Sequence, residues 1–539
     1  MRGAVPRGDL APGAGRPLDP RPAAGPGGPA AAGAAGPARL AAPLCLCLVC
    51  TWLAATCAIA LGCRHRDPGP ALQIVGESTR IRITDPVPAS SPWFDGAKLA
   101  VVAARGEIVG LQILHRDGGP VALAFPAGAA GAVQVRGYAV DALEVRRPST
   151  DMYGGSHGAG RYADGLVPAA APATDPAYFE LEVARDAAPG VVTGELTAAG
   201  RAIPVALTIA PAILPPLPIR VWAYGDPREL GWTGADEAAC IARFRSYGVL
   251  LSPDVHLEDW PGRAGRLLGL PGLRDVPVWI SEDPATAADQ VRRWIAIFAG
   301  TGQVPFAIPI DEPRTPAQRA RMRALADAVR AAGGGPGRFQ LAVTDDPHPE
   351  YGDTIDLYIS PLAAHLTGDR VARWTYNGAP PRAGAMVLDA EPPGVRTWGW
   401  IAWRWQIPIW YVWDALYWHD RHNRRGAPLP GRPLEPRTDA VSFDDGEDHG
   451  NLDGALALPG CQPTLRLAAL RRGYQDHALL ELAAACNRPA AEQLAAQLVP
   501  RALGDAGDRP SWPSDEAAWE AARRRLIDLA SCPPAPPAR

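Results

Sequence analysis

Between residues 72 and 212 apolar and polar residues alternate in short runs, interrupted by Gly and Pro. Examples are Leu99–Ala103, Ile108–Leu114, Val121–Phe125, Tyr178–Val183 and Ile203–Ile209. Successive strand side chains point to opposite faces, so close-spaced alternation with turn residues between predicts a β-sandwich. Ile213-Leu214-Pro215-Pro216-Leu217-Pro218 follows as a stiff, extended linker. The rhythm then changes. Strand-like apolar runs recur at Ile219–Tyr224, Leu250–Leu257, Val276–Ile280, Val304–Ile310, Phe339–Thr344, Asp356–Leu362, Arg373–Tyr376 and Ile407–Tyr417. Helical spacing separates several of them, over Asp236–Tyr247, Ala285–Ala299 and Thr315–Ala332. The last helix opens on Thr315-Pro316 and closes on Gly333–Gly335, which are start and stop signals. Eight strand candidates over ~270 residues match a (β/α)8 barrel, although the stretch between Asp346 and Asp356 is too short for a full helix. Residues 464–486 and 515–531 read as amphipathic helices, and the tail Pro533–Arg539 as disordered. The expected fold class is thus an N-terminal β-sandwich (72–212), a (β/α)8 TIM-type barrel (216–486) and a C-terminal helical extension (487–539).

The beginning of the chain has a different character. Residues 1–39 are mostly Pro, Gly and Ala with scattered Arg, too poor in bulky apolar groups to fold. Leu40–Gly62 is apolar and uncharged, long enough to span a bilayer and also compatible with an export signal. Ala60-Leu61-Gly62-Cys63 ends it, followed at once by Arg64, His65, Arg66 and Asp67. Small residues before a cysteine resemble a bacterial lipoprotein signal. Three outcomes stay open for segment 40–63: lipidation at Cys63, an uncleaved anchor, or ordinary cleavage. Each puts the remainder outside the cytoplasm, attached to the membrane in the first two.

Composition narrows the function classes. Apolar residues make up 47% of the chain, enough for a sizeable core. The net charge of -4 gives no strong electrostatic steer and does not point to a nucleic-acid partner, which would want a clustered basic surface. Of the 9 cysteines, Cys240, Cys461, Cys486 and Cys532 lie beyond the N-terminal segment and could pair in an oxidising compartment. The Cys47-Leu-Val-Cys50 spacing sits inside the apolar run, and no zinc-like Cys/His cluster occurs, so no metal or cofactor is expected. No phosphate-loop motif occurs either; Met152–Tyr162, Gly-rich, reads as an interdomain turn.

The strongest chemical signal is Val304-Pro-Phe-Ala-Ile-Pro-Ile-Asp311-Glu312-Pro313, an apolar strand ending in two acids. Barrel strands carry catalytic groups at their C-terminal ends. Crowded carboxylates do not both ionise easily, so one can be kept as an acid, the division of labour glycoside cleavage requires. The competing reading is an exposed turn before a helix, where acids favour the dipole. A second signal is the dense aromatic stretch Trp398, Trp400, Trp403, Trp405, Trp410, Tyr411, Trp413, Tyr417 and Trp418. Rings at helical spacing usually pack a core. Flat sugar faces also stack on indoles, and Trp413, Tyr417, Trp418 and Trp400, with Tyr358 on an earlier strand, are the candidate substrate contacts. Asp444, Asp445, Glu447, Asp448 and His449 could bind calcium, and His419, Asp420 and His422 a metal; the preferred reading is a solvated loop for the first group and a solvated strand end for the second.

The order of segments from about residue 75 to 485 resembles glycoside hydrolase family 123. The resemblance rests on several short motifs in order: Ala104-Arg105-Gly106-Glu107 before Leu111-Gln112-Ile113, Ala187-Ala188-Pro189-Gly190 before Thr193-Gly194-Glu195-Leu196, and the Asp311-Glu312-Pro313 triplet. Arg396-Thr397-Trp398-Gly399-Trp400 with Leu416-Tyr417-Trp418, Leu458-Pro459-Gly460, and Arg466 through Arg471-Arg472-Gly473-Tyr474-Gln475-Asp476 complete it. The chain departs from the pattern at Leu458, Gln475 and Trp413-Asp414-Ala415. The resemblance implies a retaining, exo-acting β-N-acetylgalactosaminidase in which the sugar's own 2-acetamido oxygen attacks the anomeric carbon. Asp311 would orient that amide and Glu312 would act as acid and then base, on a glycan or glycoconjugate substrate and without a cofactor. The alternative is a non-catalytic carbohydrate-binding or envelope protein that retains the fold.

Overall fold

A computed structural model describes residues 70–116, 118–361, 372–418, 436–444 and 446–532. The segment 40–63 with Cys63, and also His419, Asp420, His422 and Asp445, lie outside the described residues.

The first part is built of two sheets. One carries β1 (Leu72–Gly76), β3 (Ile108–His115), β7 (Ala177–Val183), β5 (Val133–Val145) and β6 (Gly160–Pro168), in that spatial order and antiparallel throughout. The other carries β2 (Leu99–Arg105), β9 (Arg201–Ile213), β8 (Gly190–Ala198) and β4 (Ala122–Ala124), with β2 and β9 parallel. The alternation in β9 buries Ile203, Val205, Leu207 and Ile209 against Leu111, Ile113, Phe179 and Leu181 of the facing sheet, forming a sandwich core.

The second part is an eight-stranded parallel sheet: β10 (Val221–Ala223), β11 (Val249–Leu251), β12 (Asp275–Pro277), β13 (Val304–Ala307), β14 (Gln340–Val343), β15 (Leu357–Ile359), β16 (Ala372–Tyr376) and β17 (Trp410–Val412). Its spatial order is β11-β10-β17-β16-β15-β14-β13-β12, and Val255 just past β11 bridges Val278 just past β12. Except for β16, the strands are shorter than the apolar runs that announce them, because those runs continue past the last ladder bond into the loop at the strand's C-terminal end.

Helices α1 (Ala235–Ser246), α2 (Trp260–Leu267), α3 (Pro284–Phe298) and α4 (Pro316–Ala331) follow β10 to β13 in turn, and α5 (Thr397–Trp405) precedes β17. Between β14 and β15 there is only a 3-10 turn, Pro349–Tyr351, as the short spacing predicts. Thr315 caps α4 with a reciprocal box to Gln318, and Pro316 occupies its first turn.

The expected boundary at residue 486 falls at a break: α6, Leu465–Leu498, is interrupted by the non-helical Asn487, two residues before Pro489, and α7 covers Glu516–Ala530. Cys240–Cys461 and Cys486–Cys532 are disulfides; the second ties α6 to the end of α7.

Helices α6 and α7 join the two parts through buried ion pairs. Arg466 binds Asp164 at 2.9 Å, Arg471 binds Glu180 at 2.6 Å, and Arg472 binds Glu107 at 2.8 Å. Arg523 also contacts Glu107, while Arg396 and the Trp400 indole both reach Asp476 at 3.0 Å. The Gly-rich stretch, expected as an interdomain turn, instead connects β5 and β6 of one sheet and touches the second part: Ser156 bonds Asp389, and the N–H of His157 donates to the Asp389 carbonyl at 2.7 Å.

Candidate active site

The parallel sheet has an aromatic floor on one face. Trp222 (β10) stacks on Tyr411 (β17) at 4.4 Å and meets Phe306 (β13) edge-on at 5.1 Å; Phe306 meets Trp374 (β16) at 4.9 Å. The two-residue strand period carries the same face onward from Trp222 to Tyr224, from Trp374 to Tyr376 and from Tyr411 to Trp413. These half-buried residues stand at the C-terminal ends of their strands.

Asp311 and Glu312 arrive at this rim four residues beyond β13. Adjacent residues of an extended strand would point to opposite faces. Here Glu312 has φ +41°, a left-handed conformation that is uncommon outside Gly and costs energy. Thr344, at the end of β14, holds the turn: its hydroxyl accepts from the Glu312 N–H at 2.8 Å and donates to Asp311 Oδ1 at 2.6 Å. Glu312 in turn accepts from Arg314 at 2.6 Å and from the Tyr376 hydroxyl at 3.2 Å.

Asp311 is open to solvent, yet protein surrounds it on most sides. That surrounding protein raises its pKa. The Thr344 hydrogen bond opposes the rise, and the charge of Glu312 adds to it. The Tyr376 hydroxyl is pushed well up, by burial first and then by the charges of Glu312 and Asp311, so it stays a donor.

The candidate aromatics divide sharply. Trp413 is half-buried; its Nε1 donates to Asp453 at 2.9 Å and its backbone N–H to Asn377, the neighbour of Tyr376, at 3.1 Å. Tyr417, itself buried, packs on Trp413 at 4.8 Å, with Phe443 edge-on to Trp413 at 6.1 Å and Tyr153 against Phe443 at 5.5 Å. Trp413 therefore belongs to an aromatic wall tied to Asn377, whose neighbour Tyr376 bonds Glu312.

Trp400 and Trp418 do not join it. Trp400 is wholly buried with its indole N–H spent on Asp476 and its ring edge-on to Trp519. Trp418 is buried with its N–H on the Ala457 carbonyl at 2.7 Å. Both are core residues, because helical spacing on α5 and the closing of the chain past β17 turn them inward. Tyr358 is likewise buried, packed near Tyr351 at 6.3 Å.

Thr344, Tyr376 and Arg314 are not among the sequence candidates, and Tyr411 appears only within the aromatic stretch. The signal for Thr344 and Tyr376 was their place as the last residue of an apolar run. Among the described residues no group of three or more His, Cys, Asp or Glu side chains could hold a metal ion. Asp444 is instead paired with Arg147 at 2.6 Å.

With this geometry in view, the structure is similar to that of a family 123 glycoside hydrolase from Clostridium perfringens, reported in a study of glycolipid glycan hydrolysis. The TM-score is 0.57 at 11% sequence identity, covering 85% of this chain and 97% of that one. The chain shares the fold of that hydrolase. A glycosyl hydrolase family 2 member from Bacteroides cellulosilyticus aligns with a TM-score of 0.25 at 11% identity, over 63% of this chain and 49% of that one, too weakly to carry an argument. No protein-family model matches the sequence. No curated protein matches it. The sequence resemblance to family 123 and the likeness of fold thus point the same way.

Proposed function

We propose that the chain is a glycoside hydrolase, a retaining, exo-acting β-N-acetylgalactosaminidase that uses substrate-assisted catalysis on a glycan or glycoconjugate. The observation that carries this reading is the bridging of Asp311 and Glu312 by Thr344 through a left-handed Glu312. A turn before a helix needs no such strained backbone, and a binding protein has little use for two crowded acids. The eight parallel strands, with Val255 bridging Val278, support a closed (β/α)8 barrel with this pair at its C-terminal mouth.

In this mechanism the 2-acetamido oxygen of the substrate attacks the anomeric carbon as the glycosidic C–O bond breaks. Glu312 gives its proton to the leaving oxygen. Asp311, held by Thr344, accepts from the acetamido N–H and balances the positive charge of the resulting oxazolinium ion. Glu312 then takes a proton from the water that opens this ion, with net retention. Tyr376 and Arg314 position Glu312, and Trp413 supplies a flat face for the sugar ring.

The test compares Glu312→Gln with Asp311→Asn on aryl N-acetyl-β-hexosaminides. A positioned acid supplies roughly 10²–10⁴-fold. Glu312→Gln should therefore lose most activity on poor leaving groups and little on good ones, while Asp311→Asn loses activity on both. Wild-type turnover by both folded variants sinks the reading and favours the carbohydrate-binding alternative.

We further propose that the folded part lies outside the cytoplasm, attached to the membrane through segment 40–63. The two disulfides support an oxidising compartment. Among the described residues no helix is long and apolar enough to cross a membrane, so attachment falls to that segment. Cys63→Ser should abolish lipid labelling of the expressed protein; labelling that persists in this variant rules out the lipoprotein form.

A further inference from the structure

The mouth holds a third carboxyl that the mechanism above does not use. Asp254 stands three residues beyond β11, one residue before the bridge from Val255 to Val278. Its backbone is fixed on both sides. The Trp222 indole donates to the Ser252 carbonyl at 3.0 Å, the Val255 N–H donates to the Pro277 carbonyl at 3.3 Å, and the Trp279 N–H donates to the Val255 carbonyl at 2.9 Å. The two-residue period places Asp254 on the same face as Leu250, which belongs to one core cluster with Trp222 and Phe306 of the aromatic floor.

The side chain has no matching support. Asp254 Oδ1 has less than 1 Å² of solvent-accessible surface and no hydrogen-bond partner. Other buried carboxylate oxygens without a hydrogen bond, those of Glu77, Glu237 and Asp476, still have an arginine within 4.0 Å, whereas no ion pair among the described residues reaches Asp254. A buried acceptor left unpaired costs stability and calls for an explanation. Asp254 as a residue is only half-buried, so a ligand entering the mouth can reach it.

We infer that Asp254 is a further substrate-binding residue, holding a hydroxyl of the same sugar ring that Asp311 and Glu312 engage; this rests on the glycosidase reading. The titratable groups that face it are Asp311, Tyr224 and Tyr411, with no arginine or lysine among them. A neutral polyol therefore suits it better than an anion. Burial first, and the charge of Asp311 second, push its pKa up to about 7. Near neutral pH it can accept a hydrogen bond from a hydroxyl or donate one to it, which fits a group that is itself both donor and acceptor.

The test uses the full chain and its Asp254→Asn and Asp254→Ala variants, with folding checked by thermal unfolding. Calorimetry measures binding of N-acetylgalactosamine, N-acetylglucosamine and their monodeoxy analogues. The wild-type chain should bind one deoxy analogue about 10- to 100-fold more weakly than its parent, as expected for losing a hydrogen bond to a charged group. Asp254→Ala should bind the parent more weakly by a similar factor and no longer distinguish that analogue. A folded variant that discriminates every analogue as the wild type does overturns the inference, leaving a carboxyl that holds water only. So does loss of folding in both variants, which would make the carboxyl structural. If the wild-type chain turns over glycosides but Asp254 proves indifferent, only this inference falls; if it neither binds nor cleaves any of these sugars, the glycosidase reading falls with it.

Discussion

The hydroxyl of Thr344 lies 2.6 Å from Asp311 Oδ1 and 2.8 Å from the backbone nitrogen of Glu312, so one side chain sets the geometry of both acids. Thr344→Val keeps the shape and removes both bonds. Activity should fall by roughly 10- to 100-fold, the worth of a hydrogen bond to a charged group, while Thr344→Ser retains most of it. The comparison is made by kcat on a good leaving group, where the role of Asp311 dominates. Equal rates for Val and Ser variants would remove Thr344 from the mechanism.

Trp413 and Trp418 should respond oppositely to truncation. Trp413→Ala loses the aromatic wall and should weaken sugar binding by roughly 1–3 kcal/mol, taking stacking on aromatic side chains as the guide, with a modest change in thermal stability. Trp418→Ala empties a core position and should cost about 3–5 kcal/mol of stability. Calorimetric binding and denaturant unfolding of both variants distinguish the two effects. Asp453→Asn should weaken sugar binding less than Trp413→Ala, since it only loosens the indole's anchor.

The interdomain ion pairs should matter to folding and not to chemistry. Glu107 accepts from Arg472 and Arg523, each buried. Glu107→Gln leaves two guanidinium groups short of a counter-charge and should destabilise the chain by about 3–5 kcal/mol. Denaturant midpoints measure this. A midpoint unchanged from wild type would mean that the network relaxes without cost.

His477 supplies a pH dependence with a definite sign. Burial, assisted by the nearby charge of Arg220, lowers its pKa from 6.5 to about 3. Between those values the unfolded chain binds a proton that the folded chain does not, so this residue makes stability rise with pH across the window. Below about pH 3 both states are protonated and the dependence ends. His477→Leu should remove this contribution and flatten the fall in melting temperature from pH 6 to pH 3. An identical pH profile would show that the imidazole is protonated in the folded state after all.

Much of the architecture was legible in the chain. Alternation over residues 72–212 produced the paired sheets, and the eight apolar runs after the linker all became strands of one parallel sheet. The residues behind the family resemblance proved to have two different physical roles. Asp311 and Glu312 stand at the strand end where the apolar run stops. Glu107, Arg396, Arg466, Arg471, Arg472 and Asp476 instead form the buried ionic contacts that hold sandwich, sheet and helices together. The spacing of these charges along the chain carried no hint of burial, because charged residues are normally assigned to the surface.

The sequence by itself determined the elements, since side-chain periodicity and turn chemistry are local properties. It also located the acidic pair, because an apolar run ending in two carboxylates is a local pattern. What only the tertiary structure decided was which groups meet. Thr344 reaches Asp311 from the neighbouring strand, Tyr376 reaches Glu312 from three strands away, and Asp254 shares the field of Asp311 from across the sheet. The same is true of the indoles: Trp413 and Trp418 are five residues apart and chemically alike, yet one lines the rim and the other fills the core. That difference arises from how strands and helices close around one another, and so from contacts between residues far apart in sequence.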